Sequence, residues 1–352
     1  MNFTDGSLWP ENQQKLVITA APYGPEWIPS DFPEDIPVSM EAQIQKAVDC
    51  YNAGATVLHV HVREDDGKGS KRLSRFNELL AGIRARVPDL ILQVGGSISF
   101  APEKEGDVAK WLSDDTRHKL AELEPTPDQV TIAINTNQMN VVEQMCEADI
   151  RGTSLATPEG YRAYREMTIP AGPEWVEEHI RRLTAKRIQT HFQLAGISQL
   201  ETVERMMRLG TCNVPLILTW VAIGGGFEAP NIYNLANFVR GCPEGSVLTL
   251  ETSMLNVLPI NTFAIAMGLH VRCGIEDNLW TQRRDRKMTT VQQIEQLVRI
   301  SQELGRDVAS ASEARVIYKI GTFYKDADET LAQNGFAPNR RPGPAGTTRR
   351  AA

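Results

Sequence analysis

The sequence predicts an α/β fold in which eight parallel strands, alternating with helices, close into a (β/α)₈ TIM barrel. Eight short apolar, β-branched runs recur along the chain, and amphipathic helical stretches separate them. The first run is not followed by the G-x-G-x-x-G turn of dinucleotide-binding sheets. An open, doubly wound sheet is the alternative, and the count of eight favours closure. A chain of 352 residues is also within the range that such a barrel fills as one domain.

Each predicted strand is a short run rich in Val, Ile, Leu and Thr that turn residues bound. The eight runs are residues 16–21, 55–63, 90–94, 129–134, 187–194, 215–223, 246–252 and 270–275. Helical periodicity is clear in residues 39–51, 73–87 and 289–304, with Ser39 as the expected N-cap of the first. A further helix is expected over residues 309–318, as an extension after the eighth unit.

The end of the chain has a different composition from the barrel. We assign residues 1–325 to a single barrel catalytic domain and residues 326–352 to a polar C-terminal tail. Residues 339–346 read Asn-Arg-Arg-Pro-Gly-Pro-Ala-Gly, which is typical of a linker. Two interpretations of the tail stay open: a flexible segment, or an arm that packs on a neighbouring subunit.

The composition is that of a soluble globular protein rather than a nucleic-acid or membrane protein. Apolar residues make up 41%, charged residues 23%, and the net charge is −7. The chain has no long basic run before its C-terminal end, so we expect no nucleic-acid partner. No apolar run approaches the ~20 residues of a membrane span, and the N-terminus lacks a signal-peptide pattern. The five cysteines are scattered without C-x-x-C spacing, which favours reduced thiols and a cytoplasmic location.

The second predicted strand carries two histidines. Side chains two residues apart on a strand lie on one face, so His59 and His61 project together. Leu58, Val60 and Val62 then project to the opposite face. Two buried imidazoles need partners, and a metal ion satisfies both, because neutral imidazole is a common zinc ligand. Two core histidines bonded to backbone or carboxylate groups are the alternative.

The end of the eighth predicted strand supplies the remaining groups. In barrel enzymes the chemistry lies at the carboxyl ends of the strands. Glu276 as a third ligand completes a His, His, Glu zinc set. Arg272 would hold Asp277 ionised, and Asp277 can then act as a base toward a carbon acid that the metal acidifies. Alternatively, Glu276 and Asp277 are an acidic pair at a helix N-terminus and Arg272 is a surface residue.

Other predicted strand ends are polar as well. Glu26 lies in the loop after the first strand, and Ser97 follows paired glycines after the third. Thr131 and His191 lie on the fourth and fifth strands. Their position makes them candidates for a site at this end of the barrel. Glu26 sits in a proline-rich loop, where simple solvent exposure would also explain it.

These motifs resemble those of the β-keto acid cleavage enzymes, the family of the 3-keto-5-aminohexanoate cleavage enzyme. The resemblance covers roughly residues 15–320. Its most specific parts are the histidine motif of residues 59–67 and the Glu-Asp-Asn motif within residues 270–278, which read His-Val-Arg-Cys-Gly-Ile-Glu-Asp-Asn. Less specific matches are residues 18–21 with 24–26, residues 127–131 and residues 303–306.

The resemblance implies a zinc-dependent (β/α)₈ barrel, usually a homotetramer, with acetyl-CoA as co-substrate. The implied reaction joins a β-keto acid to acetyl-CoA and yields acetoacetate and a new acyl-CoA by retro-Claisen cleavage. By this resemblance, His59, His61 and Glu276 would bind zinc, and Arg272 and Asp277 would form the base. Glu26 would orient the substrate, and Thr131 would hold the substrate's carboxylate.

Two departures from the family pattern concern the substrate. The family has a serine just before the paired glycines after the third strand, where this chain has Gly95, so Ser97 is the residue that would replace it. The type enzyme has a glutamate, suited to a cationic amino substrate, where this chain aligns His191. A histidine there indicates a neutral or anionic β-keto acid.

Two other functions fit the same pattern. One is another zinc-dependent barrel enzyme, an aldolase or an amidohydrolase-type hydrolase, although amidohydrolases normally add further histidines and an aspartate on the last strand. The other is a barrel that binds a metabolite without turnover, in which Glu276 or Asp277 can be replaced without loss of any activity.

Overall fold

The computed structural model describes residues 6–24, 27–95, 100–101, 110–111, 114–134, 145–165, 172–223, 227–252 and 255–340. Within these ranges, eight parallel strands pair in sequence order, and the last pairs with the first to form a closed barrel. Helices lie between consecutive strands. The predicted (β/α)₈ barrel is therefore confirmed.

The strands are short, and every predicted run contains one of them. In chain order they are β1 (Ile18–Ala20), β2 (Val57–Val60), β3 (Ile91–Val94), β4 (Gln129–Ala133), β5 (Gln189–Leu194), β6 (Ile217–Val221), β7 (Val247–Glu251) and β8 (His270–Cys273). The predicted runs are longer because the residues that flank the strands are also apolar and buried, such as Leu16 and Ile275. Between β3 and β4, Phe100–Ala101 and Lys110–Trp111 pair antiparallel as a separate small sheet.

Local sequence explains where the longer helices begin. In chain order the helices are α1 (Met40–Ala53), α2 (Leu73–Arg86), α3 (Asp114–Lys119), α4 (Glu147–Ile150), α5 (Pro158–Arg165), α6 (Pro173–Ala185), α7 (Leu200–Leu209), α8 (Ile232–Gly241), α9 (Leu258–Ala266), α10 (Thr290–Glu303), α11 (Ala311–Ile317) and α12 (Ala327–Asn334). Ser39 caps α1 by accepting a hydrogen bond from the N–H of Ala42. Thr289 and Gln292 form a reciprocal capping box at the start of α10.

Across the described ranges, none of the helices combines the length and the apolar character that a membrane-spanning segment needs.

Apolar side chains pack on both sides of the barrel wall. Outward-facing residues such as Leu58, Val60 and Leu92 belong to the large core between strands and helices. A second apolar group fills the amino-terminal end of the barrel and forms its floor. The floor consists of Val17, Val57, Ile91, Ile217, Val247, Ala309, Ala314 and Tyr318. The hydroxyl of Tyr318, just after α11, lies 2.6 Å from Thr249 Oγ1, so α11 closes this end and leaves the carboxyl ends of the strands as the mouth.

The C-terminal segment differs from the polar tail that we expected from residue 326 onward. α12 packs on α7, and its Leu331 and Asn334 are fully buried. Asn334 exchanges hydrogen bonds with backbone groups just before β6. The mostly polar sequence of α12 conceals this docking, because the buried Asn334 has its hydrogen-bond partners on the barrel. Residues 341–352 lie outside the described ranges.

The barrel interior above the floor contains buried polar groups, and His270 at the start of β8 is one of them. Its Nδ1 atom accepts a hydrogen bond from the N–H of Val17 at 3.1 Å, and the residue is 3% exposed. Burial, with a smaller contribution from Arg306, lowers the pKa of His270 to about 3. A histidine in the unfolded chain has a pKa of about 6.5, so between these two values the unfolded state binds more protons than the folded state. Stability therefore falls as the pH is lowered through this window.

We predict that His270→Gln makes the protein less sensitive to mild acid. Lowering the pH from 7 to 5 is expected to cost the wild-type protein about 2 kcal/mol more unfolding free energy than the variant, because only the wild type must keep this ring unprotonated. Urea unfolding at the two pH values, with a chelator present, measures the difference. Other titrating groups are common to both proteins and cancel. Equal losses in the two proteins would show that His270 titrates normally in the folded state.

Candidate active site

The site begins with two histidines at the carboxyl end of β2. His59 is the third residue of β2 and His61 follows its end, and their ring centroids are 5.1 Å apart. Both side chains are buried at the barrel mouth, whereas Leu58, Val60 and Val62 join the apolar core on the other side of the strand. The predicted alternation of faces is present in the structure.

A glycine turn after β8 brings a third group to the histidines. Gly274 has a φ of +143°, and a Cβ atom there would overlap the carbonyl group of Ala21, so only glycine fits. The N–H groups of Asp277 and Asn278 each donate to the carbonyl of Gly274 at 3.1 Å, which closes the turn. The turn crosses the end of β1, and Glu276 thereby reaches the histidines of β2.

His59, His61 and Glu276 have the geometry of a metal-binding set. Glu276 Oε1 lies 3.6 Å from His59 Nε2 and 3.5 Å from His61 Nε2, and the ligand atoms are all within 4.8 Å of one another. Tetrahedral zinc with ordinary bond lengths places neighbouring ligand atoms roughly 3.3 Å apart. Glu276 Oε2 is buried and has no hydrogen-bond partner in the described part of the chain. A metal ion fits these residues, because it would satisfy that oxygen as well as both imidazoles.

The protonation states also suit a metal. Burial, together with the positive charge of Arg272, holds the pKa of His59 well below its usual value, so the ring is neutral. Burial alone would raise the pKa of Glu276, but the positive charge of Arg272 outweighs it, and the pKa lies well below its usual value. Neutral imidazole and ionised carboxylate are the forms that bind metal ions.

Gly95, directly after β3, leaves the space into which the two imidazoles converge. A Cβ atom at this position would lie 2.5 Å from His59 Nε2 and 2.6 Å from His61 Nε2. A carbon atom cannot approach a ring nitrogen so closely, so a side chain here would push the rings away from each other. The absence of a side chain at Gly95 is therefore part of the geometry of this site.

Arg272 on β8 is buried and contacts three carboxylates. Its Nη2 atom lies 2.7 Å from both Glu276 Oε1 and Asp277 Oδ1, and its Nε atom lies 2.9 Å from Asp277 Oδ2. The Nε atom is also 3.0 Å from Oε2 of Glu251, the last residue of β7. Sequence reasoning missed Glu251. A charged residue at the carboxyl end of an apolar run is the signal that could have found it.

Burial raises the pKa of the other two carboxyl groups at Arg272. The pKa of Asp277 is raised to about 6 and that of Glu251 to about 8, because burial outweighs the attraction of the guanidinium. At neutral pH, Asp277 is therefore mostly ionised and Glu251 mostly protonated in the metal-free protein. One buried guanidinium does not suffice to keep three neighbouring carboxylates charged.

Thr131 and His191 lie deeper in the barrel than the sequence suggests. Both are 1% exposed. Thr131 Oγ1 lies 3.0 Å from His191 Nδ1, and His191 Nε2 lies 2.8 Å from Thr219 Oγ1, so both ring nitrogens have partners inside the barrel. The next inward residue of β5 toward the mouth is Gln193, which donates to Glu251 at 3.1 Å. The structure thus connects Gln193, rather than His191, with the group around Arg272.

Two of the expected site residues, Glu26 and Ser97, lie outside the described residues. Near Glu26, the guanidinium of Arg63 donates to the carbonyls of Gly24 at 2.5 Å and Trp27 at 2.8 Å. Arg63 therefore ties the loop after β1 to the end of β2. This residue of the histidine motif has a structural role at the rim of the site.

Comparisons with known proteins agree on one family. Residues 15–320 match the model of a family described as beta-keto acid cleavage enzyme. The chain is 26% identical over 308 residues to a 3-keto-5-aminohexanoate cleavage enzyme of Acetoanaerobium sticklandii, covering 87% of this chain and 99% of that protein. It is 22% identical to a 3-oxoadipate:acetyl-CoA acetyltransferase of Cupriavidus necator, covering 80% and 87%. It is 23% identical to a 3,5-dioxohexanoate:acetyl-CoA acetone transferase of Paraburkholderia graminis, covering 88% and 96%.

Solved structures support the same fold. The complex of ObcA with oxaloacetate is similar with a TM-score of 0.56 and 15% identity, covering 81% of this chain and 67% of that one. Apo ObcA is similar with a TM-score of 0.55 and 14% identity, covering 81% of this chain and 66% of that one. At this level of identity, the likeness concerns the barrel fold alone.

We predict that Gly95→Val weakens metal binding while the fold persists. The new Cβ and its methyl groups occupy the space in which the two imidazoles converge, so the zinc dissociation constant is expected to rise about 10-fold or more. Competition with a chromophoric chelator measures the constant, and circular dichroism checks the fold. Gly172→Val is the control, because a Cβ at this exposed position meets no atom of the described residues within 4 Å. Unchanged zinc binding in Gly95→Val would show that the rings do not need this space.

Proposed function

Because the chain belongs to the β-keto acid cleavage enzyme family and is an enzyme of that class, we propose that it is zinc-dependent and uses acetyl-CoA as co-substrate. In this proposal it condenses a β-keto acid with acetyl-CoA and cleaves the product to acetoacetate and a new acyl-CoA. The observation that carries the proposal is the buried His59, His61 and Glu276 set directly beside the Arg272–Asp277 pair. The names of two relatives, both acetyl-CoA-dependent transferases, also support it.

His59, His61 and Glu276 would hold the zinc ion through His59 Nε2, His61 Nε2 and the Glu276 carboxylate. Zinc, when bound, supplies Lewis acidity that makes a hydrogen next to a keto group more acidic. Three protein ligands leave one position of a tetrahedral set open, as catalytic zinc sites require. The orphaned Oε2 atom of Glu276 supports this assignment.

Asp277 is the base in this proposal. Its two oxygens are held by Nε and Nη2 of Arg272, which fixes the orientation of the carboxylate. Burial raises its pKa to about 6, so at neutral pH it is ionised and yet a stronger base than an exposed aspartate. It would take the proton between the keto and carboxylate groups of the substrate. The resulting carbanion would attack the thioester carbonyl of acetyl-CoA and expel the CoA thiolate, which would then attack the substrate's own ketone. The bond between that ketone carbon and the former carbanion carbon would break, giving the new acyl-CoA and the carbanion of acetoacetate, which would take the proton back from Asp277.

Arg272 has a second part in the proposed reaction. Its Nη1 atom is buried and has no hydrogen-bond partner among the described residues. An unpaired guanidinium N–H at a site for anionic substrates is suited to donate to a substrate oxygen. Glu251, bonded to Gln193 and to Arg272 Nε, supports the arginine from the opposite side to the metal set.

We propose that the side chain of the substrate is neutral or anionic. Burial and Arg272 lower the pKa of His191 to about 3, so its ring is uncharged at neutral pH. Unlike a glutamate, it offers no negative charge to a cationic substrate. Both of its nitrogens have partners within the barrel, so neither is available to a substrate side chain. The unpaired Nη1 of Arg272 is a donor that an anionic group of the substrate can accept from.

The assembly and location that we propose are a homotetramer in the cytoplasm. The tetramer rests on the family resemblance, and light scattering after gel filtration tests it. All five cysteines are free thiols, which supports a reducing compartment.

A screen of β-keto acids with acetyl-CoA tests the reaction class. We expect acetoacetate from at least one neutral or anionic substrate, because the proposed base and metal act on the shared β-keto acid group. The product should disappear with a chelator and in Glu276→Gln, which removes one charged ligand. If no substrate yields acetoacetate although the protein binds about one zinc per chain, a zinc-dependent hydrolase or aldolase becomes the better assignment.

We predict that Asp277→Asn retains zinc and loses turnover by about 10²–10⁴-fold, because an amide cannot take the proton. Zinc stoichiometry and kcat on the substrate found in the screen are measured on the same preparation. Asp128→Asn is the matched control. Asp128 also pairs with two arginines, Arg84 and Arg315, and its side chain is 8% exposed, but it lies just before β4 at the far end of the barrel. Turnover close to wild type in Asp277→Asn would remove Asp277 as the base.

A further inference from the structure

A line of hydrogen-bonded amides crosses the barrel interior, starting at His59. His59 Nδ1 lies 2.9 Å from Gln93 Oε1, and Gln93 Nε2 lies 2.9 Å from Gln129 Oε1. Gln129 Nε2 in turn lies 2.8 Å from Gln189 Oε1. The line ends where Gln189 Nε2 donates at 3.0 Å to the backbone carbonyl of Lys319, two residues after α11. We call these five residues the amide relay.

The strand register builds the amide relay. His59 is the Cα partner of Gln93, Gln93 of Gln129, and Gln129 of Gln189, so the four side chains form one layer across β2, β3, β4 and β5. Each of the four is at most 3% exposed. Buried amides are costly without partners, so each side chain depends on its two neighbours in the relay.

The far end of the amide relay fixes its direction. A carbonyl oxygen only accepts hydrogen bonds, so Gln189 must turn its NH₂ group toward Lys319 and its Oε1 atom toward Gln129. The same constraint passes to Gln129 and then to Gln93, whose Oε1 atom must face His59. An amide oxygen bonds to Nδ1 only when Nδ1 carries the hydrogen.

The reversed direction is strongly disfavoured. It would place Gln189 Oε1 against the carbonyl of Lys319, and neither oxygen can donate. Lys319 has a φ of +49°, a left-handed conformation that is uncommon for residues other than glycine. In that conformation its carbonyl meets Gln189 and provides the acceptor that orients the whole relay.

We propose that Gln93, Gln129 and Gln189 are positioning residues that hold His59 in its Nδ1–H tautomer, so that the lone pair of Nε2 faces Glu276. A backbone carbonyl on the floor side of the barrel thereby decides which nitrogen of His59 is available to a metal. The effect on metal affinity rests on the proposed zinc site. The tautomer does not, because every hydrogen bond of the relay joins atoms of the chain itself.

The chain contains an internal reference with the opposite tautomer. Nδ1 of His270 accepts from the N–H of Val17, and a backbone N–H only donates, so His270 must carry its hydrogen on Nε2. Both rings are buried and neutral, because burial lowers the pKa of each. His59 and His270 should therefore give opposite patterns of nitrogen chemical shifts in one spectrum.

The test measures the tautomer of His59 and the zinc affinity in matched variants. ¹⁵N chemical shifts of histidine-labelled, metal-free protein report the tautomer, and competition with a chromophoric chelator gives the zinc dissociation constant. Wild-type His59 is expected to show the Nδ1–H pattern. Gln93→Leu removes the direct acceptor, and Gln189→Leu removes the connection between Gln129 and Lys319 while leaving the hydrogen-bond partner of His59 in place. Both are expected to lose the single tautomer and to bind zinc about 10–100-fold more weakly.

Thr219→Val is the control, because it removes one buried hydrogen bond of the interior, to His191, without touching the amide relay. It should retain the His59 tautomer and the zinc affinity. An Nε2–H pattern for wild-type His59, or an unchanged Nδ1–H pattern in Gln189→Leu, overturns the proposal. If Gln189→Leu does not fold, Gln129→Leu interrupts the relay one residue closer to His59. An unchanged Nδ1–H pattern in Gln129→Leu would then overturn the proposal. A wild-type protein that binds no zinc would refute the proposed metal site, while the tautomer readout would still decide this inference.

Discussion

The guanidinium of Arg272 is the group on which the arrangement of the mouth depends. A buried cation is tolerated only with charged partners, and three carboxylates meet it, from Glu251, Glu276 and Asp277. When all are ionised, the three carboxylates and one guanidinium leave two negative charges in a buried space. A divalent ion between the histidines and Glu276 would balance them. The raised pKa of Glu251, about 8, reflects the same imbalance in the metal-free protein. The metal set and the proposed base are therefore two parts of one charge balance.

The barrel and the grouping of His59, His61 and Glu276 could be predicted from the sequence because both follow from periodicity. Side chains alternate along a strand, so His-x-His places two imidazoles on one face whatever surrounds them. Parallel strands end at the same edge, so a carboxylate after the last strand comes close to groups after the second. Closure of the barrel brings the eighth and second strands close together, because β8 and β2 both pair with β1. Glu276 therefore has only one strand to cross, and Gly274 permits the turn that crosses it.

Depth within the barrel could not be predicted from the pattern. His191 and Gln193 lie on the same face of β5, and the sequence does not tell which of them meets the mouth and which meets Thr131 and Thr219. That choice depends on the stagger of neighbouring strands, a property of the closed sheet. Glu251 was missed because a single acid at a strand end has no partner in the local sequence. The docking of α12 was missed for a related reason: Asn334 is buried by contacts with a segment more than a hundred residues earlier.

The interior of this barrel departs from the usual filling by branched apolar side chains, and the departure has a structural consequence. A layer of glutamines, histidines and threonines needs a hydrogen-bond partner for every polar atom, and a closed barrel has no solvent at its centre to provide one. The segment around α11 supplies both an apolar side chain and a hydrogen-bond acceptor at the amino-terminal end of the barrel. Tyr318 fills the apolar floor and bonds Thr249, while the carbonyl of Lys319 ends the amide relay. The element that closes the barrel is thus continuous with the hydrogen bonds that reach His59, so a substitution on the floor side can alter the surroundings of His59 without any contact with it.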